Sequence, residues 1–125
     1  MMKTLPLAIA ICLATGASAL AAPPVKTVDT EKGPVLAAEN GMTLYTYKDD
    51  MGGASSCYDQ CAKNWPPFMV EGDAAAEAPY TIVERKDGSK QWAKDGMPLY
   101  FFVKDEKMGD VTGDGVKGEW DVARP

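Results

Sequence analysis

The chain has 125 residues, 13 of them basic and 18 acidic, no histidine, and a formal net charge of -5 at pH 7. That length fits one domain, and an acidic balance without a basic cluster argues against nucleic acid and anionic membrane surfaces as partners. The missing histidine excludes any Ser-His or Cys-His catalytic pair and removes the commonest metal ligand.

Residues 1–21 predict a secretory signal peptide. Lys3 gives a short positive start, Leu5 to Leu13 an apolar run, and Ala17-Ser18-Ala19-Leu20-Ala21 a small-residue segment with cleavage expected after Ala19 or Ala21. The apolar run is too short to span a bilayer, so no transmembrane segment is expected after cleavage. Cys12 follows Ile11, where a lipidated cysteine wants a small residue. It is expected to leave with the signal, and lipid anchoring is not expected. Loss of Lys3 takes the charge from -5 to -6.

Residues 22–125 then form one domain. Strands are predicted over Val25 to Thr30 and Pro34 to Glu39, followed by a two-residue turn at Asn40-Gly41 and a third strand over Met42 to Lys48. Ser55 to Asn64 predicts a short helix around the remaining cysteines, stopped by Pro66-Pro67. Glu71 to Pro79 reads as an exposed link. The strand pattern returns over Tyr80 to Arg85, Ser89 to Ala93 and Met97 to Val103, separated by turns at Asp87-Gly88 and Asp95-Gly96. The run Leu99-Tyr100-Phe101-Phe102-Val103 is apolar on both alternating faces and predicts cover on both sides. Gly109 to Gly115 is too glycine-rich for helix and predicts ordered turns. Glu119 to Ala123 predicts a last strand.

The second half repeats the first. A constant shift of 55 residues carries Gly33 onto Gly88, Gly41-Met42 onto Gly96-Met97, Leu44-Tyr45 onto Leu99-Tyr100, Tyr47 onto Phe102, Asp50 onto Asp105 and Trp65 onto Trp120. The fold expected is mainly β: two pseudo-symmetric three-stranded antiparallel meanders, about 25–70 and 80–125, packed as one domain with one short helix near the cysteines. Trp65 and Trp120 are expected to cover a shared core, joined by Trp92, with the third strands central.

The repeated pattern is Tyr-x-aromatic-x-x-Asp, as Tyr45-x-Tyr47-x-x-Asp50 and Tyr100-x-Phe102-x-x-Asp105. With Cys57-x-x-x-Cys61-Ala62-x-x-Trp65-Pro66-Pro67, it resembles a bacterial family of secreted repeats, often lipoproteins, defined by a Yx(FWY)xxD motif. The resemblance implies an exported, envelope-associated bacterial protein and carries no settled biochemical activity. Two features depart from the family. Trp120-Asp121-Val122 stands where members often have Trp-His-Val, and no lipobox is present, which implies a soluble periplasmic or secreted form.

Within a strand, tyrosine and the aromatic two residues on share a face. The aspartate beyond the strand end is placed to accept bonds from loop amides or from a tyrosine hydroxyl. The alternative is an aromatic platform for a planar or sugar ligand. Occurrence twice in matching positions favours structure for Tyr45, Tyr47, Asp50, Trp65, Tyr100, Phe102, Asp105 and Trp120.

Cys57 and Cys61, an even pair in an exported chain, predict one structural disulfide. Three residues separate them, and Asp59 would raise a thiol pKa rather than lower it, which argues against a catalytic thiol pair. Asp105, Asp110 and Asp114 are candidate calcium ligands, but their spacing fails the EF-hand pattern, and capping of turn amides explains them as well. Met42, Met51, Met69, Met97 and Met108, with the thiols, raise the idea of copper; no Met cluster supports it.

The leading expectation is a non-catalytic exported protein, not an enzyme and with no cofactor, that binds an envelope protein or a small ligand or serves a structural role. The alternatives are thiol-disulfide exchange at Cys57 and Cys61, and a calcium- or copper-binding module.

Overall fold

The computed structural model describes residues 23–50 and 52–125. The expected signal segment, residues 1–21 with Cys12, and Met51 lie outside the described residues. The described chain runs β1 (Val25–Thr30), β2 (Gly33–Ala38), β3 (Tyr45–Tyr47), α1 (Gln60–Asn64), β4 (Tyr80–Glu84), β5 (Lys90–Lys94), β6 (Met97–Pro98) and β7 (Trp120–Val122). It is mainly β, with two repeats and one short helix. Three small antiparallel sheets result: β1-β2, β3-β7 and β4-β5-β6.

The pairing of β3 with β7 joins the third strand of the first repeat to the tryptophan segment of the second. The reciprocal exchange also occurs. Phe68 N–H donates to the Leu99 carbonyl and Phe101 N–H to the Pro66 carbonyl, so the segment after Trp65 runs beside the third strand of the second repeat. At the centre Tyr45 and Tyr100 bond each other through both backbone groups, at 2.8 and 3.0 Å. Each repeat thus lends its last segment to the other meander. The second repeat keeps a three-stranded sheet, whereas in the first β3 leaves the β1-β2 sheet to pair with β7. Only the Ala37–Thr43 bridge and neighbouring backbone bonds tie its third segment back, so neither expected meander is self-contained.

This exchange shortens the third strands. Met42 to Lys48 was the expected span of one and Met97 to Val103 of the other, and the regular ladders are Tyr45–Tyr47 and Met97–Pro98. The chain stays extended beyond them while its bonding partner changes, which breaks the ladder. Val103, expected to be covered, is 54% exposed, because its strand ends there in a turn. The helix is also shorter than Ser55 to Asn64. Ser55, Ser56 and Cys57 are irregular, with Ser56 N–H bonded to Asp50, Cys57 N–H to Ser55 Oγ and the Cys57 carbonyl to Arg85, and the helix starts only at Gln60, after Asp59 at φ 56°.

The two repeats are not in strict register. Leu36 N–H bonds the Ala123 carbonyl and Leu36 C=O accepts from Leu44; Trp92 makes the same pair of bonds with Phe68 and Leu99. Leu36 and Trp92 lie 56 residues apart, not 55. The turn between β4 and β5 is one residue longer than its counterpart, closed by Arg85 and Ser89. The next turn restores the count. In the second repeat Asp95 (φ 51°) and Gly96 (φ 84°) form the two-residue turn. Both central residues at positive φ suit a tight hairpin. In the first repeat the turn is not the expected Asn40-Gly41 pair. It spans Glu39, Asn40 and Gly41, with Ala38 N–H on the Met42 carbonyl and Gly41 at φ 86°.

Alternation along the strands sends side chains to two clusters. Tyr45, Tyr100, Trp65, Trp120, Val35 and Cys57 form one. Leu36, Leu44, Leu99, Trp92 and Phe68 form the other. Trp92 therefore does not join Trp65 and Trp120 but fills the opposite face. Among the described residues no helix is long and apolar enough to cross a membrane.

Candidate functional site

The two motifs bond to each other. Tyr45 donates its hydroxyl hydrogen to Asp105 Oδ2 at 2.6 Å, and Tyr100 donates to Asp50 Oδ2 at 2.5 Å. The second carboxylate oxygens hold their own loops. Asp50 Oδ1 accepts the N–H and hydroxyl of Ser56, and Asp105 Oδ1 accepts those of Thr112. Both donor types read from the sequence are present, loop amide and tyrosine hydroxyl. What the sequence did not indicate is that each tyrosine reaches the aspartate of the other repeat. Each phenol oxygen also accepts one bond, Tyr45 from Gly113 N–H and Tyr100 from Ser55. Burial first, and the aspartate bond second, push both phenols well above the ordinary tyrosine value.

The remaining motif aromatics form one stack of four rings. Trp65 and Trp120 lie parallel with centroids 3.8 Å apart; Phe102 covers the outer face of Trp65 at 4.1 Å and Tyr47 that of Trp120 at 4.2 Å. Tyr45 meets Trp65 edge-on, and Tyr100 meets Trp120 in the same way. The stack is symmetric about the pseudo-twofold axis between the tryptophans. Both tryptophan faces are occupied by protein rings, which leaves them no platform for a ligand.

Cys57 and Cys61 form a disulfide with Cα atoms 5.2 Å apart. Neither offers a thiolate for copper in that state. The disulfide loop is tied to a buried network that the sequence did not reveal. The Arg85 guanidinium, 6% exposed, donates to Ser55 Oγ, Gln91 Oε1 and the Cys57 carbonyl. It also lies over the Tyr58 ring at 4.3 Å. Through Ser55 this network reaches Tyr100 and then Asp50.

The candidate calcium ligands do not converge. Asp105 serves Tyr45 and Thr112. Asp110 caps the Glu106 and Lys107 amides, which hold its carboxyl below the usual range. Asp114 accepts Val122 N–H and faces Lys32. Among the described residues no three His, Cys, Asp or Glu side chains gather as a metal site.

A groove of about 700 Å³ opens on the face opposite the stack, between the Glu39–Asn40 turn and the Pro67–Met69 segment. Phe68, Trp92 and Phe101 form its apolar wall. Its pseudo-symmetric mate is a cleft of about 230 Å³ lined by Thr46, Lys94, Asp95, Val122, Ala123 and Arg124 together with the apolar Met97 and Leu99. The equivalences are direct: Phe101 stands for Thr46, Phe68 for Ala123, Met69 for Arg124 and Ala38 for Lys94. At these four positions the mate carries small or polar residues where the larger groove has aromatic and apolar ones. No sequence motif marks this groove. The mismatches between the repeats were the available signal.

Residues 26–69 and 81–124 each match the model of a family described as a secreted repeat of unknown function. No curated protein and no solved structure matches the chain.

Proposed function

This chain belongs to the secreted-repeat family, and from that premise we propose that it is a non-catalytic protein of the bacterial periplasm that binds a ligand in the groove walled by Phe68, Trp92 and Phe101. One observation carries the reading: the groove and its mate occupy the same place in two halves of one fold, yet only one is enlarged and lined with aromatic rings. The mate fills the same place in the fold with Thr46 and Ala123. A concave, mostly apolar site of several hundred Å³ with few polar groups is what a small-molecule site requires.

The motif residues support the same reading by being occupied elsewhere. Tyr45, Asp50, Tyr100 and Asp105 are buried and bonded to one another, so their chemistry is committed to closing the fold. The tryptophans are covered by their stack. The alternative of thiol-disulfide exchange draws less support, because Cys57 is fully buried and its carbonyl is held by Arg85.

The test is native mass spectrometry of the untagged protein, purified from the envelope of its native host without chelator. A mature mass with the disulfide formed and an organic adduct is expected. The variant Phe101→Thr with Met69→Arg copies the mate cleft into the groove and should purify folded without the adduct. An adduct that persists in this variant, or a reduced cysteine pair in the parent, contradicts the proposal.

A further inference from the structure

The groove also has a sign. Glu39 and Glu71 line it, and among the described residues no lysine or arginine does. Glu39 is the extra residue of the longer turn, the one position in that hairpin without a structural counterpart in the second repeat. In the mate cleft the equivalent of Ala38 is Lys94 and the equivalent of Met69 is Arg124. Between the two halves the change from cleft to groove therefore removes the cations Lys94 and Arg124, replaces Asp95 by Asn40, brings in Glu39 and Glu71 for a net gain of one carboxylate, and adds aromatic surface. Carboxylates at the mouth of an apolar site focus a negative potential on whatever enters. Phe101, the partly exposed ring of the wall, adds an aromatic surface of the kind that attracts cations through its ring quadrupole. The net charge of -5 adds a favourable field at longer range.

We infer that the ligand of this groove is a small organic cation with an apolar or aromatic body, its apolar part against Phe68, Phe101 and Met69 and its charge toward Glu39 and Glu71. The inference rests on the groove reading above and specifies the class of ligand.

Three probes of similar bulk test it in isothermal titration with the full mature protein: tetraphenylphosphonium, tetraphenylborate and the neutral triphenylphosphine oxide. The phosphonium is expected to bind at least tenfold more tightly than either of the others. Glu39→Gln with Glu71→Gln should weaken phosphonium binding by roughly fivefold at low salt, an effect of two partly screened charges, and leave the oxide unchanged. Phe101→Thr with Met69→Arg should abolish binding of all three, with a melting temperature measured alongside to establish folding. Equal affinity for oxide and phosphonium, tighter binding of the borate, or phosphonium affinity unchanged in the glutamine variant overturns the cation assignment while the groove reading stands. Failure of every probe to bind, or binding that survives Phe101→Thr with Met69→Arg, overturns both.

Discussion

Tyr45 bonds Asp105, 60 residues further along and in the other repeat, while Tyr100 bonds Asp50 in return. Each motif is therefore half of a reciprocal lock. The exchange of tryptophan segments makes the same point in the backbone. Neither repeat can complete its sheet or satisfy its buried aspartate without the other.

Asp50→Ala and Asp105→Ala are each expected to destabilise the protein by about 1–3 kcal/mol, the cost of leaving a buried hydroxyl and loop donors unpaired. Because the repeats are interlocked, either variant should lower one common transition rather than split the melt in two. Calorimetry of both variants checks this; two separate transitions, or melting temperatures like the parent's, would contradict it.

Alkaline pH should unfold the protein. Tyr45 and Tyr100 keep their protons in the folded state above their ordinary value of 10.0, through burial first and the aspartate bond second. The unfolded chain releases those protons near pH 10. The folded state then holds more protons than the unfolded one, so stability is full below pH 10 and falls as pH rises beyond it. The slope is about 1.4 kcal/mol per pH unit for each tyrosine. Tyr47 and Tyr80, also raised chiefly by burial, add to the slope; urea midpoints at pH 9, 10 and 11 read it, and Tyr45→Phe should remove one tyrosine's share.

Gly113→Ala tests the aromatic stack. A Cβ at Gly113 would lie 2.8 Å from Trp65 Cη2 and 3.0 Å from Phe102 Cδ2. Trp65 is held between Trp120 and Phe102 and has no room to withdraw, so the substitution should cost about 1–3 kcal/mol, the usual range for overpacking. Gly88→Ala is the comparison: its Cβ meets nothing within 4 Å, though its φ of 88° carries backbone strain. Reduced near-ultraviolet circular dichroism from the tryptophan pair should accompany the Gly113 change alone.

Cys57→Ser should leave the fold intact and lower stability by about 2 kcal/mol, the chain-entropy value for so short a loop. The Arg85 bond to the Cys57 carbonyl is a backbone contact and survives the substitution. Complete unfolding of the variant at 25 °C would show that the disulfide does more than close its loop.

Much of this architecture was legible in the sequence. The strand pattern over Val25 to Thr30 has the bounds of β1, and the repeat marks Tyr45, Tyr100, Trp65 and Trp120 as its structural centre, because aromatic pairs at one spacing leave a strong signal. The partner of each aspartate was not legible. A repeat specifies equivalent positions, and equivalence is silent on whether contacts run within a copy or across the axis. The slip that matches Leu36 with Trp92 was hidden by two compensating turn lengths, which keep the overall count at 55. Arg85 and Gln91 escaped notice because a lone arginine beside a turn reads as a solvated surface residue. The groove escaped because Phe68, Met69 and Phe101 are ordinary apolar residues until their counterparts Ala123, Arg124 and Thr46 are set beside them.

The reciprocal lock is the centre of this account, and a double-mutant cycle on Tyr45→Phe and Asp105→Ala, followed by urea denaturation at pH 7, tests it most directly. A coupling energy of about 1–3 kcal/mol is predicted, the range for contacting buried partners. Stability losses that add within about 0.5 kcal/mol would mean that Tyr45 and Asp105 act independently, and would contradict the lock.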